Sequence, residues 1–473
     1  MVGGAVPVVF AAVPNRVAHR GSADPGRATE PTRRAPGRRA SRRARTRSVR
    51  GDRRAPGPHD DSQGRRLGTS FNRLFVASTV SNLGDGMLVV ALPLLAVSIT
   101  DSPLQIALLT VCRGVPWLAF GLTAGVIGDR SDRRRLMAFV DYGRALIVGL
   151  LALAVLVSDV PMWVLFLTAL GLGAGEVLFD SSSGAFLPMI VPEHHLERAN
   201  ARLHLSLTLA NELSGPVVGA WLFAVAAAAP FIVDAGSFVF AATAVLAIGG
   251  SYRVAFDSDR RILSPLHDDL VPAVGPRMRE QIREGLQFLR GHPLLRTLAI
   301  VGSSYNFLAT GLSAIAVLYV RTELGASELQ YGIVLTLAAV GGLVGAFAAP
   351  KVYERFSSGH VIVIDIVVCA LVAFAAAAIG ELWAWAVFDT VLFGGSAIAS
   401  IGSRAMRQRA MPPELAGRLT SVFLLLLFGA GPLGAALFGG LAAATSPGAA
   451  LVAFGIGSLC IVAGFGRSLA STR

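Results

Sequence analysis

Several ionisable residues lie inside long apolar runs, and Asp85, Arg113, Glu176 and Glu212 are those whose placement could do chemistry. A charged side chain within a bilayer costs about a few kcal/mol or more, so each needs a reason to be there. At 1.5 Å of rise per residue, Asp85 lies ~17 Å and Arg113 ~21 Å from the same membrane face, on consecutive antiparallel helices. A charge pair is within reach, in which Asp85 would carry a proton or hold a cationic solute with Arg113 as counter-charge. The alternative is a purely structural buried pair. Glu176 and Asp180 sit one turn apart on one face, where each carboxylate opposes the other's ionisation. Glu176, near mid-span, is a second proton-carrier candidate; Asp180, nearer the inner surface, reads as structural. Glu212 is a third carrier candidate, beside Gly215-Pro216-xx-Gly219. That motif bends a helix at the proline and lets a neighbouring backbone come close at the glycines. Asp234, Asp365 and Asp389 lie near helix ends or in less distinctive surroundings, where capping or hydration is the default reading.

Other chemistries find little support. No nucleophile–base constellation emerges, so no enzyme is expected. His194-His195-x-Glu197 has the residue types of a metal site but falls in a polar loop, and neither metal nor cofactor is expected. Cys112, Cys369 and Cys460 all fall in apolar runs and read as small buried hydrophobes. A phosphate-binding Gly-x-x-x-x-Gly-Lys-Ser/Thr motif is absent from the sequence, which argues against ATP-driven transport by this chain.

The elements that must position these residues are transmembrane helices. Of 473 residues, 53% are hydrophobic and 15% charged, against about 25% charged in soluble domains. The net charge of +12 belongs to one end: residues 1–70 hold 16 Arg and 5 acidic residues, a net of +11, leaving +1 for the rest. This stretch, rich in Arg, Pro, Gly and Ser, has no apolar periodicity and is expected to be a disordered cytoplasmic tail. Contact with anionic lipid or nucleic acid is its functional reading; an unselected or misassigned start is the other.

From Phe71 onward twelve apolar segments reach spanning length: 74–99, 104–127, 136–157, 161–187, 203–225 and 230–250, then 295–320, 331–350, 360–380, 382–403, 419–444 and 449–466. The chain divides into an N-terminal bundle (71–250), a linker (251–294) and a C-terminal bundle (295–473). In the linker, Met278, Ile282, Leu286 and Leu289 make one apolar helical face, suited to the inner leaflet. Basic residues gather in alternate loops, which predicts both termini in the cytoplasm. Arg202-Leu203 followed by Gly215-Pro216 recurs as Arg418-Leu419 followed by Gly431-Pro432, an internal repeat that lays the fifth span over the eleventh.

The loop after the second span reads Gly125-xxx-Asp129-Arg130-xx-Arg133-Arg134. With Ser81-Asn-Leu-Gly-Asp85-Gly in the first span and Leu196-xx-Ala-Asn200-Ala-Arg202-Leu before the fifth, it resembles the major facilitator superfamily, especially its enterobactin-exporter and macrolide-efflux branch. The resemblance implies an all-α membrane protein of twelve transmembrane helices in two pseudo-symmetric six-helix bundles, resident in the cell membrane. It implies a secondary transporter, functioning as a monomer, that exports a drug, siderophore or similar small amphipathic solute by proton antiport and alternating access. Gly125, Asp129, Arg130, Arg133, Arg134 and Arg418 would form a cytoplasmic gate, with Asp129 against the start of the eleventh span and Asp141 as a partner for the loop arginines. Gly215, Pro216 and Gly219 would limit leak. Three departures stand out: Asp132 occupies the motif's second glycine, only the core of the fifth-span signature is present, and the fourth span lacks the usual arginine. The solute, protons and the bilayer are the expected partners, and nucleic acid is not. A proton-coupled importer of the same fold, or a membrane sensor using the basic tail, are the alternatives.

Overall fold

The computed structural model describes residues 67–121, 131–157, 159–250, 252, 276–412 and 415–470. The basic tail, Gly125, Asp129 and Arg130 of the loop motif and most of the linker lie outside these residues, as does the side chain of Arg418.

The regular secondary structure among the described residues is entirely helical. The first part comprises α1 (Thr69–Ile99), α2 (Pro103–Phe120), α3 (Arg133–Val157), α4 (Met162–Ile190), α5 (Leu196–Leu207), α6 (Gly215–Val225) and α7 (Ala229–Leu246). The second comprises α8 (Pro276–Gly291), α9 (Pro293–Leu318), α10 (Glu328–Arg355), α11 (Ser358–Ile379), α12 (Leu382–Ala410), α13 (Ala416–Ala444) and α14 (Ala449–Ala470). Among the described residues, eleven helical stretches are long and apolar enough to cross a membrane. Their outer faces are apolar: Phe139 and Phe347 are each 77% exposed and Leu146 63%. Such faces have no place in water, and the chain is a multi-pass membrane protein.

The segment expected as the fifth span departs from a single α-helix. It runs as α5, a wider π-helical stretch Thr208–Ser214, and α6. The cause is Pro216, which has no N–H to donate and whose ring crowds the preceding turn. The winding opens so that the Gly215 N–H reaches back to the Ala210 carbonyl. Ser214 Oγ adds bonds to the carbonyls of Leu209 (2.7 Å) and Ala210 (3.3 Å), serving acceptors that the irregular turn would otherwise strand. The glycines explain the close approach that follows. A Cβ at Gly215 would sit 2.6 Å from Gly86 Cα, and one at Gly219 would sit 2.6 Å from the Met87 carbonyl oxygen. The fifth span therefore lies backbone to backbone on α1.

Short connections make neighbouring helices antiparallel and define two ends. Arg73 and Arg134, at the starts of α1 and α3, bond the carbonyls of Ala247 and Ile248 just past α7. Thr297 and Ser468 likewise join the start of α9 to the end of α14 at 3.4 Å. We call this end the near face and the opposite end, with Ile99, Pro103 and Glu328, the far face.

The two parts meet along α2–α13 and α6–α10. A Cβ at Gly439 would meet Ala107 at 2.4 Å, one at Gly114 would meet Pro432 at 2.8 Å, and Trp117 stacks on Phe428 at 5.6 Å. A Cβ at Gly332 would lie 2.8 Å from the Pro216 carbonyl oxygen, and Thr336 Oγ1 donates to the Leu213 carbonyl at 2.9 Å. On α10 both contacting residues, Gly332 and Thr336, lie in the far half of the helix. The amphipathic helix α8 packs on α9 and α13, with Leu289 buried and Leu286 partly so.

Candidate transport site

The charged residues of the apolar runs meet inside the first part, in pairings different from those expected. Arg113 pairs with Glu176, its Nη2 3.2 Å and its Nε 3.4 Å from Oε2. Asp85 instead accepts from Arg144 Nη2 at 3.2 Å. Helical depth alone could not choose, because it fixes height along the membrane and not which way a side chain turns around its helix. Here α2 turns Arg113 toward α4, while α1 turns Asp85 toward α3.

Arg144 is the centre that the sequence reading missed. It is 3% exposed, with Nη1 3.8 Å from Asp141 Oδ1 one turn earlier and its guanidinium carbon 4.5 Å from the centre of the Phe238 ring. Its field also reaches Glu176 and Asp234. Asp141, expected to partner the loop arginines, is fully buried beside Arg144. The signal was available: an arginine eleven residues into a 25-residue span, three positions after an aspartate, is an intramembrane charge with a partner on its own face.

Small residues make the room. On α4, a Cβ at Gly173 would lie 2.3 Å from the Arg113 carbonyl oxygen, and one at Gly175 would lie 2.8 Å from the Arg144 stem. Both glycines lie just before Glu176, which is fourteen residues from either end of α4 and so at its centre. On α1, a Cβ at Gly84 would lie 1.9 Å from Asp234 Oδ1, and that same oxygen accepts from Ser237 Oγ at 3.2 Å. Ion pairs thus tie α2 to α4 and α1 to α3, with α7 contributing Phe238 and Asp234. Asp180, one turn past Glu176, is half-buried within the field of that carboxylate and of Arg144. Glu212 does not join the group: it lies in the π-helical stretch and is exposed.

The described part of the loop motif is held by helix ends. Arg133 Nη1 donates to the Ala185 carbonyl (2.8 Å) near the end of α4. Arg134 bonds Ile248 and, at 3.5 Å, Leu246, past and at the end of α7. The Leu246 and Ile248 carbonyls lie at or past a helix C-terminus, where carbonyls lack intrahelical donors and a cation also meets the negative end of the helix dipole. Asp132 caps α3, its Oδ1 accepting the Arg135 N–H at 3.3 Å while Oδ2 accepts the Tyr252 N–H at 3.5 Å.

A cavity lies between the two parts in their far half. Val89 on α1 and Thr110 on α2 face Ser313 on α9, Tyr331 on α10 and Trp385 and Asp389 on α12. Val89 follows Asp85 by one turn on the same face of α1, so the cavity opens one turn from the charged group. Among the described residues, no group of three or more His, Cys, Asp or Glu could hold a metal ion.

A polytopic helical chain with these buried ion pairs and a cavity between its parts is a membrane transporter of the major facilitator fold. The profile of the family described as “transmembrane secretion effector” matches residues 67–469, and the chain belongs to that family. It is 26% identical over 402 residues to the enterobactin exporter EntS of Escherichia coli O1:K1 / APEC, covering 83% of this chain and 90% of that protein. Its identity to EntS of Shigella dysenteriae serotype 1 (strain Sd197) is 25% with the same coverage. Among solved structures, the nucleoside transporter NupG shares the fold at 11% identity and a TM-score of 0.66, over 86% of this chain and 100% of that one. A bacterial homologue of the iron transporter ferroportin does so at 17% identity and a TM-score of 0.61, over 83% and 98%. The family and these relatives are transporters, and this chain is not an enzyme.

Proposed function

We propose that this protein exports a small amphipathic solute in exchange for protons, its two bundles rocking so that a central path opens to one face at a time. The observation that carries the reading is the charge balance of the buried group. Asp85, Asp141, Glu176, Asp180 and Asp234 supply five carboxylates, and Arg113 and Arg144 two guanidinium groups; fully ionised, the balance is 2 − 5 = −3. A net charge of that size is costly away from water, so the group takes up protons or a cation and its pairings change with occupancy. Arg113–Glu176 and Asp85–Arg144 are the coupling pairs, replacing a direct Asp85–Arg113 pair. Close contacts between the bundles at Gly439–Ala107 and Gly332–Pro216 support a conformation closed at the far face, and the loop arginines make the near face cytoplasmic.

In this reading Asp129 and Arg418 close the near face in the opposite conformation. Arg133 and Arg134 anchor the start of α3 to α4 and to the end of α7. An Asp129→Asn protein inserts normally and transports poorly. The names of the relatives make a catecholate siderophore the first solute to try, beside amphipathic amines. In proteoliposomes with an imposed pH gradient, solute accumulates in vesicles whose lumen is acidic. Uptake equal with and without the gradient would remove proton coupling.

A further inference from the structure

The acidic residue with the most unusual surroundings lies outside the charged group just described. Asp389 is 6% exposed in the wall of the cavity between the bundles, and among the described residues it has neither a hydrogen bond nor an ion pair. Other buried acids of the spans have partners: Arg144 for Asp141, Ser237 for Asp234, and Cys369 for Asp365 at 3.5 Å. A buried carboxylate is costly unless a donor or cation meets it, and the described residues supply Asp389 with neither.

What surrounds it is equally specific. Trp385, one turn earlier on α12, is 2% exposed, and its indole Nε1–H has no acceptor among the described residues. Its ring lies 5.5 Å from that of Phe388, and Tyr331 is 4% exposed across the cavity on α10. A carboxylate among aromatic rings is the chemistry that receives an organic ammonium group, through an ion pair and through attraction of the cation to ring faces. An indole donor beside it can serve an oxygen of the same solute. No other charged residue lines the cavity among the described residues.

The internal repeat argues that the acid is not scaffolding. α4 and α12 are each 29 residues long and begin 382 − 162 = 220 positions apart. Gly175 and Gly395 keep this offset and keep their job, since a Cβ at Gly395 would strike Asp365 at 1.8 Å as one at Gly175 would strike Arg144. At the same offset, the counterpart of Asp389 is Ala169, fully buried. A helix of the same length packs there without a carboxylate.

We propose that the Asp389 cavity binds the ammonium group of an amphipathic amine, and that such amines are among the solutes this protein carries. The proposal deepens the transport reading and rests on it for the identity of the bound amine as cargo. Because the cavity has walls from both bundles, an occupant bridges them and favours the conformation closed at the far face.

The test uses the full chain in lipid nanodiscs and two probes of nearly one shape, 2-phenylethylammonium and uncharged 2-phenylethanol, with empty nanodiscs subtracted. Equilibrium dialysis should show the ammonium bound at least about tenfold more tightly than the alcohol. Asp389→Asn should bring that ratio to about one while leaving alcohol binding unchanged, which also shows that the variant is folded. A ratio near one in the wild type, or a ratio that survives Asp389→Asn, overturns the proposal. So does displacement of the ammonium by equal concentrations of sodium chloride, which would give the site to an inorganic ion. Counterflow of the ammonium through reconstituted protein, without any pH gradient, should depend on Asp389. If the ammonium binds through Asp389 but shows no counterflow, the assignment as cargo is wrong. Proton exchange stands or falls separately, by the imposed gradient.

Discussion

Arg144 donates to Asp85 across 3.2 Å, joining α3 to α1 inside the first part of the chain. The same guanidinium faces Asp141 and lies over Phe238. Replacing Arg144 with leucine therefore leaves two carboxylates without their cation. Breaking a buried pair from one side costs about 3–5 kcal/mol, and Arg144→Leu should melt well below the parent in detergent. Arg144→Lys keeps the charge but loses the planar fork that reaches two acids, and should fall between them. A leucine variant with the parent's melting temperature would show that the network contributes no stability.

The second pair separates stability from coupling. Glu176→Gln strands Arg113, and Arg113→Gln strands Glu176, so each single change should destabilise. The double change removes both charges and should recover much of the loss, an interaction of about 0.5–3 kcal/mol in a thermal or denaturant cycle. Transport should not recover with it. If Glu176 carries a proton, the folded double variant moves solute down its own gradient but no longer against it. A double variant that still concentrates solute in acidic vesicles would leave Glu176 a structural role only.

Much of the fold could be read in the sequence because bilayer thickness imposes a length on each apolar run, and a resemblance carried by the loop motif pointed to its arrangement. The positions of Asp85, Arg113 and Glu176 along their helices could be read for the same reason. Their pairing could not, since partner choice depends on helix rotation and on close approaches at Gly173 and Gly175 that only the packed bundle reveals. The setting of Asp389 is hidden from the sequence for a related reason. Its distance from the end of the span suggested a wet or capped acid, whereas α1, α2, α9 and α10 enclose it. Glu212 is the converse case: it stands beside the Gly-Pro motif in sequence, yet the wider turn over Thr208–Ser214 leaves it exposed.

The irregular fifth span gives a prediction with opposite outcomes at adjacent residues. Gly215→Ala and Gly219→Ala place a methyl group within 2.6 Å of α1 backbone atoms, which have no rotamer by which to yield. Both should lower the yield of folded protein and its melting temperature, by about 1–3 kcal/mol or more. Pro216→Ala restores a donor and removes ring crowding, so the segment can relax toward an ordinary α-helix. It should leave stability near the parent's while changing the seating of α6 on α10, seen as faster proton leak in solute-free vesicles. Unchanged leak would make the bend an ordinary kink.

Asp132 stands where the resembling family has glycine, and its contacts decide between two accounts of that difference. As an added charge on the gate, its reversal by Asp132→Gly would alter transport and leave stability alone. The contacts favour a capping role instead. One carboxylate oxygen caps α3 at the Arg135 N–H, and the other takes the Tyr252 N–H beyond α7. Tyr252 is itself fixed, its ring edge-on to Phe186 at 4.9 Å and its hydroxyl donating to the Gly249 carbonyl at 2.8 Å. Loss of an N-cap costs about 1 kcal/mol with alanine and only a few tenths with glycine. Both changes also lose the Tyr252 bond, so Asp132→Ala should melt lowest and Asp132→Gly between it and the parent. Asp132→Asn keeps an acceptor for the Arg135 N–H and should lie close to the parent. That ordering follows capping, not charge. If asparagine behaved like alanine instead, the negative charge would matter more than the cap, and the gate account would be the better one.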